Sequence, residues 1–172
     1  MLLLISDANI IIDLEAGEIL AELFQLPHQF AMPDVLFEEE VADGSPHLID
    51  MGLRSLVVSG EYLEYAIRLG EQYGDEPGFN DRLALALAKQ ESCPLLTGDG
   101  NLRLLAATED ADVRGTLWIF SELIEFGFLT KAEAVDALGR MKSRGRRLPW
   151  KEAERTIQRS VYNVKCMSKG SS

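Results

Sequence analysis

Leu2-Leu3-Leu4-Ile5-Ser6-Asp7-Ala8-Asn9-Ile10 is the stretch from which the rest of the chain is read. A strand covered on both faces shows as a continuous apolar run and not as an alternation, and such strands belong to parallel sheets packed between helices. Residues 2–6 are such a run. It ends on a carboxylate, Asp7, and residues 10–26 then carry apolar positions at helical spacing, with Gly17 as a break and Pro27 as the stop. Strand, acid, helix is the opening of a βαβ unit.

The same rhythm continues outward. Residues 29–32 read as a second strand, and Pro33 opens a helical segment that carries Glu38, Glu39 and Glu40. Residues 55–59 (Ser-Leu-Val-Val-Ser) read as a third strand. In 61–73, Tyr62, Tyr65, Ala66 and Leu69 fall at helical spacing, and 81–91 is a helix with Leu83, Leu87 and alanines as its buried stripe. Residues 94–97 give a fourth strand, 101–107 a short helix and 111–114 a fifth strand. Helices are expected at 116–126, 130–143 and 149–161. Thr130-Lys131-Ala132-Glu133 has the form of a capping box, and Pro149 stands at a first helical turn. There is no internal repeat, and the pattern predicts one α/β domain.

Composition agrees. A chain of 172 residues with 47% hydrophobic content buries a core. No apolar run approaches the roughly 18 residues of a membrane span. The first five residues are too short for a signal sequence and lack a basic start, so the expectation is a cytoplasmic protein without a membrane role. Cys93 and Cys166 make no disulfide framework. The net charge of -11, from 28 acidic against 17 basic residues, is the wrong balance for a typical nucleic-acid binder. Nine basic residues nevertheless lie from Lys131 to Arg159. They read as a solvated helix face, or as a contact for phosphate or an acidic partner.

Four acids carry the chemistry. Asp7 follows the first strand, Glu38 lies after the second, Asp81 heads a buried helix and Asp99 follows the fourth strand in Thr97-Gly98-Asp99-Gly100-Asn101. In an open parallel sheet such ends converge on one crevice. Carboxylates gathered there repel one another unless a hard divalent cation lies between them. Each acid also has a structural explanation. Asp7 suits an N-cap, the Glu triplet and Asp81 suit the positive end of a helix dipole, and Asp99 suits a turn. Within the triplet Glu38 is the choice for the pocket, because Leu36, Phe37 and Val41 read as buried; Glu39 is the alternative. Asn9 shares the neighbourhood of Asp7, Thr97 stands ready to orient Asp99, and Asn101 offers a neutral oxygen. Asp13 lies six residues further along and is set aside. His28 and His47 form no recognisable pair, and neither G-x-x-x-x-G-K-[ST] nor G-x-G-x-x-G occurs, so a histidine metal site and the usual nucleotide loops are disfavoured.

Taken in order, these segments resemble the PIN domain family of ribonucleases, which includes many toxins of bacterial and archaeal toxin–antitoxin pairs. The matching stretches are Ile5-Ser6-Asp7-Ala8-Asn9-Ile10, Pro33-Asp34-Val35-Leu36-Phe37-Glu38, Phe79-Asn80-Asp81-Arg82-Leu83-Ala84 and Leu95-Leu96-Thr97-Gly98-Asp99. The resemblance covers residues 2 to about 125. It implies an α/β three-layer sandwich with a five-stranded parallel sheet in order 3-2-1-4-5 and helices on both faces. A PIN-like nuclease domain would occupy 1–128, a helical extension packed on it 129–164, and a loose tail 165–172. Asp7, Glu38, Asp81 and Asp99 then carry over as the catalytic ligands of one or two Mg²⁺ or Mn²⁺ ions. Asn101 stands where the family often has a further acid, which weakens a second metal. RNA is the implied substrate, an antitoxin the implied partner and a homodimer the implied assembly. Arg82 or another basic residue would meet the substrate phosphate, although Arg82 follows Asp81 by only one position. Two competing readings are a PIN-like binding or scaffold module too weak for turnover, and a receiver-type phosphoryl acceptor. The latter needs a second acid beside Asp7 and a late buried lysine, and neither is evident.

Overall fold

A computed structural model describes residues 1–163. Its helices in chain order are α1 (Ala8–Ala16), α2 (Leu20–Leu23), α3 (Asp34–Leu36), α4 (Leu48–Met51), α5 (Gly60–Tyr73), α6 (Phe79–Gln90), α7 (Gly100–Thr108), α8 (Thr116–Glu125), α9 (Lys131–Ser143) and α10 (Trp150–Arg159). Contacts group the described residues into two compact units, Met1–Ile10 with His28–Arg114, and Ile11–Pro27 with the described residues from Gly115 onward. The boundary expected after residue 128 falls inside the second unit, and the tail expected at 165–172 lies outside the described residues.

The first unit holds the whole sheet: β1 (Leu3–Ser6), β2 (Gln29–Pro33), β3 (Arg54–Leu56), β4 (Leu95–Leu96) and β5 (Val113–Arg114). All pairings are parallel and the order is β3-β2-β1-β4-β5, as expected from the sequence. The central strand β1 pairs Ile5 with Leu95 and Ser6 with Leu96. Its continuous apolar run follows from burial on both faces: Leu4 and Ile5 are fully enclosed. Strand order reverses between β1 and β4, the place where parallel α/β sheets open a crevice at the carboxyl ends of their strands.

Helix α6 packs against β1, β2 and β4, and α5 lies along α6. Every residue from Leu83 to Ala88 is buried. Alternating alanines let this helix approach the sheet closely, while each buried leucine contributes about 2 kcal/mol. The helix starts at Phe79, which puts Asp81 in its first turn and not at its head. The segment after Pro33 departs further from expectation. Helix α3 runs into a π-helical stretch, Phe37–Val41, closed by the Ala42 amide on the Phe37 carbonyl at 2.7 Å. Such a turn holds more residues than an α turn and re-aims the side chains it carries.

The second unit accounts for much of the basic segment. Helices α8, α9 and α10 pack on one another, and Ile119, Phe120, Leu123, Ala137, Met141 and Ile157 on them are buried. The helix expected over 10–26 is two helices, parted at Gly17, where a Cβ would stand 2.6 Å from the Met141 side chain. Arg140 and Arg144 donate to the Gly17 and Ala16 carbonyls at 3.0 and 2.8 Å, satisfying the open end of α1. Arg140 also pairs with Glu18 at 2.9 Å. Arg146 meets Asp13 at 2.6 Å, and Thr116 donates to the same carboxylate at 3.3 Å. The acid set aside in the sequence is therefore a buried structural anchor. Thr130 caps α9 by accepting from the Glu133 amide at 3.1 Å. Among the described residues no helix is long and apolar enough to cross a membrane.

Candidate functional site

Asp7 and Asp99, predicted past the first and fourth strands, flank the switch point and are joined through Thr97. Asp7 is fully buried one residue past β1, where its amide bonds the Leu96 carbonyl of β4 at 3.1 Å. Its Oδ1 accepts from the Ile10 amide at 3.0 Å, so it is an N-cap to α1. Its Oδ2 accepts from the Thr97 hydroxyl. The same hydroxyl oxygen accepts from the Asp99 amide at 3.0 Å. Asp99 is the N-cap of α7 and receives the Leu102 amide on Oδ1 at 2.8 Å. One threonine thus ties together the two carboxylate loops beside the switch point.

Asp81, on α6, lies within the electrostatic reach of Asp99. Its carboxyl is pushed up to about 6 from an ordinary value of 3.8, first by burial and then by the negative charges of Asp99, Glu40 and Glu76. Asp99 and Glu40 thus stand near enough to Asp81 to disfavour its charged form. Glu39 is also tied to this helix, accepting from the Asn80 amide group at 2.8 Å. Glu38, Glu39 and Glu40 are all exposed, and Glu38 has no bond to the other acids among the described residues. The choice of Glu38 assumed about 100° per residue, whereas the triplet lies on a π turn. Asn9 is half-buried in the first turn of α1 and Asn101 is exposed on α7.

Arg82, expected near the substrate phosphate, is 7% exposed and faces away from that task. Its guanidinium donates to the carbonyls of Ala66, Pro77 and Gly74 at 3.1, 2.9 and 3.4 Å and lies 5.7 Å from the Phe79 ring centroid. It therefore ties the end of α5 and the acidic loop before α6 into one piece. Arg103, which sequence reasoning did not single out, donates from Nη1 to the Thr97 carbonyl at 3.0 Å. The signal for it was present: it lies four residues after Asp99 and so on the same helical face.

Among the described residues no three His, Cys, Asp or Glu side chains are arranged to grip one ion. The donor set is still that of a hard cation, for it consists of carboxylates alone, one of which holds its proton up to about 6, first through burial and then through its negative neighbours. A divalent ion among Asp7, Asp81 and Asp99 would relieve that repulsion. A family model described as a PIN domain matches residues 3–161. No curated protein matches the chain.

Proposed function

This chain belongs to the PIN domain family, whose members are generally nucleases, and on that premise we propose that it is a metal-dependent endoribonuclease hydrolysing RNA phosphodiester bonds. The observation that carries the reading is the junction at Thr97, which joins Asp7 and Asp99 at the strand switch point beside a third acid, Asp81. Asp7, Asp81 and Asp99 would hold Mg²⁺ or Mn²⁺, with a further oxygen from Glu38, Glu39 or Glu40. When bound, such an ion supplies an acidified water as nucleophile and offsets charge on the phosphate under attack. The protein contributes rigidity. Asp7 is fixed by the Ile10 amide and the Thr97 hydroxyl, so its oxygens need little reorganisation. Asp81, with its carboxyl near 6, exchanges its proton close to neutral pH and so makes occupancy of the site pH-dependent.

A toxin role with an antitoxin partner, a homodimer and a cytoplasmic setting belong to the same proposal, resting on the family alone. Purified protein with Mn²⁺ should cut single-stranded RNA, and Asp7→Asn should abolish cutting while the variant still melts cooperatively. Equal cleavage by the folded variant would sink the assignment.

A second reading is a PIN-like binding module with little turnover. In its favour, Asp7 and Asp99 both act as helix caps, which alone would account for acids at these positions. Calorimetric titration separates the two: absence of heat at millimolar Mn²⁺ favours the module.

A further inference from the structure

We propose that Arg103 is the residue that grips a phosphate of the RNA beside the carboxylates, an inference that rests on the endoribonuclease reading. Arg103 lies in the first half of α7, and its amide bonds the Asp99 carbonyl at 2.9 Å. Side chains on a helix lean toward its N-terminus, and here Nη1 reaches the Thr97 carbonyl at 3.0 Å. The hydroxyl of that same threonine bonds Asp7. The guanidinium is thus tethered at the carboxylate junction by a neutral oxygen.

Its other donors are what make it informative. A guanidinium has five N–H groups in a planar fork, and the Thr97 carbonyl takes one. Arg103 is exposed and forms no ion pair with any of the adjacent acids among the described residues. Three other arginines are committed elsewhere. Arg82 is consumed by three carbonyls, Arg140 pairs with Glu18, and Arg146 with Asp13. A chain of net charge -11 repels a polyanion at long range, so productive binding needs a fixed local cation. An arginine held on a rigid element, with its fork open, binds a phosphate through two parallel hydrogen bonds.

The test compares Arg103→Ala, Arg103→Gln and Arg103→Lys with Arg155→Ala, using Mn²⁺-loaded protein and a fluorescein-labelled single-stranded RNA. Arg155 is exposed on α10, so its removal deletes one positive charge from a second site. Arg103→Gln keeps a donor for the Thr97 carbonyl and guards against loss of local structure. Arg103→Ala and Arg103→Gln should lower kcat/KM by about 10- to 100-fold and reduce the salt slope of binding by about one. Arg103→Lys should recover part of the affinity, and Arg155→Ala should stay close to the wild type. If the wild type cuts RNA and the Arg103 variants match it, or lose only what Arg155→Ala loses, the assignment to Arg103 is overturned alone. If the wild type neither binds nor cuts RNA, the endoribonuclease reading fails and takes this one with it.

Discussion

The hydroxyl of Thr97, just past β4, donates to Oδ2 of Asp7, just past β1, and both side chains are fully buried. The Asp99 amide can only donate, so the hydroxyl oxygen accepts from it while the hydroxyl proton points to Asp7. A buried hydrogen bond of this kind is worth about 1–3 kcal/mol when its loss strands a partner. Here it also fixes the distance between two acids that belong to different strands.

Thr97→Val keeps the shape and removes the hydroxyl, leaving Oδ2 of Asp7 and the Asp99 amide without this partner. The loss should be about 2–3 kcal/mol, a fall in melting temperature of about 4–12 °C for a domain of this size. Thr97→Ser should restore most of it. Thermal melts followed by circular dichroism check this, and a valine variant as stable as the wild type would show that the bond does not matter.

Asp81 should make stability depend on pH in a set direction. Its carboxyl is near 6 in the folded chain against 3.8 ordinarily. An acid raised on folding stabilises fully below its unfolded value, and that contribution disappears as pH rises through the folded value. Without metal, Asp81→Asn should therefore melt higher than the wild type at pH 7–8, by on the order of 1 kcal/mol once solvent screening is allowed for. That corresponds to about 2–4 °C, and the gain should vanish toward pH 4. Excess Mn²⁺ should reverse the ranking, because ligand binding stabilises the folded wild type by mass action. A difference in melting temperature that is the same at pH 4 and pH 8 would remove Asp81 from this account.

Gly70 and Arg82 should prove energetically coupled. A Cβ on Gly70 would lie 2.5 Å from Nη2 and 2.7 Å from Cζ of Arg82. Alanine is favoured over glycine in a helix by about 1 kcal/mol, yet here it must displace a guanidinium that satisfies three carbonyls. Gly70→Ala should therefore destabilise, by about 1–3 kcal/mol. Combined with Arg82→Met it should cost less than the sum of the two single changes, since the clash is then gone. Urea unfolding of the four proteins measures the coupling, and strict additivity would refute it.

Much of this was legible along the chain. Continuous apolar runs at 2–6 and 94–97 marked buried parallel strands, each with an acid just past it, because strand period and loop position are local properties. The Leu/Ala pattern of α6 announced a buried helix for the same reason. Helix boundaries were less legible. Gly17 was read as a break, but the close approach of the Met141 side chain to it, from more than a hundred residues later, was not.

The sequence by itself determined the α/β class and, through a family resemblance, the parallel order 3-2-1-4-5, and it singled out Asp7, Asp81 and Asp99 as candidates. Tertiary structure alone decided how those acids are joined and which cations stand by them. Thr97 reaches Asp7 across 90 positions, and Arg146 reaches Asp13 across 133. A π turn, which no residue pattern announced, moved attention within the Glu triplet toward Glu39 and Glu40. Arg82 went to backbone carbonyls and Arg103 to the Thr97 carbonyl. The reason is physical: hydrophobic period is written residue by residue, while the partner of a buried polar group depends on which distant element folding brings within about 3 Å.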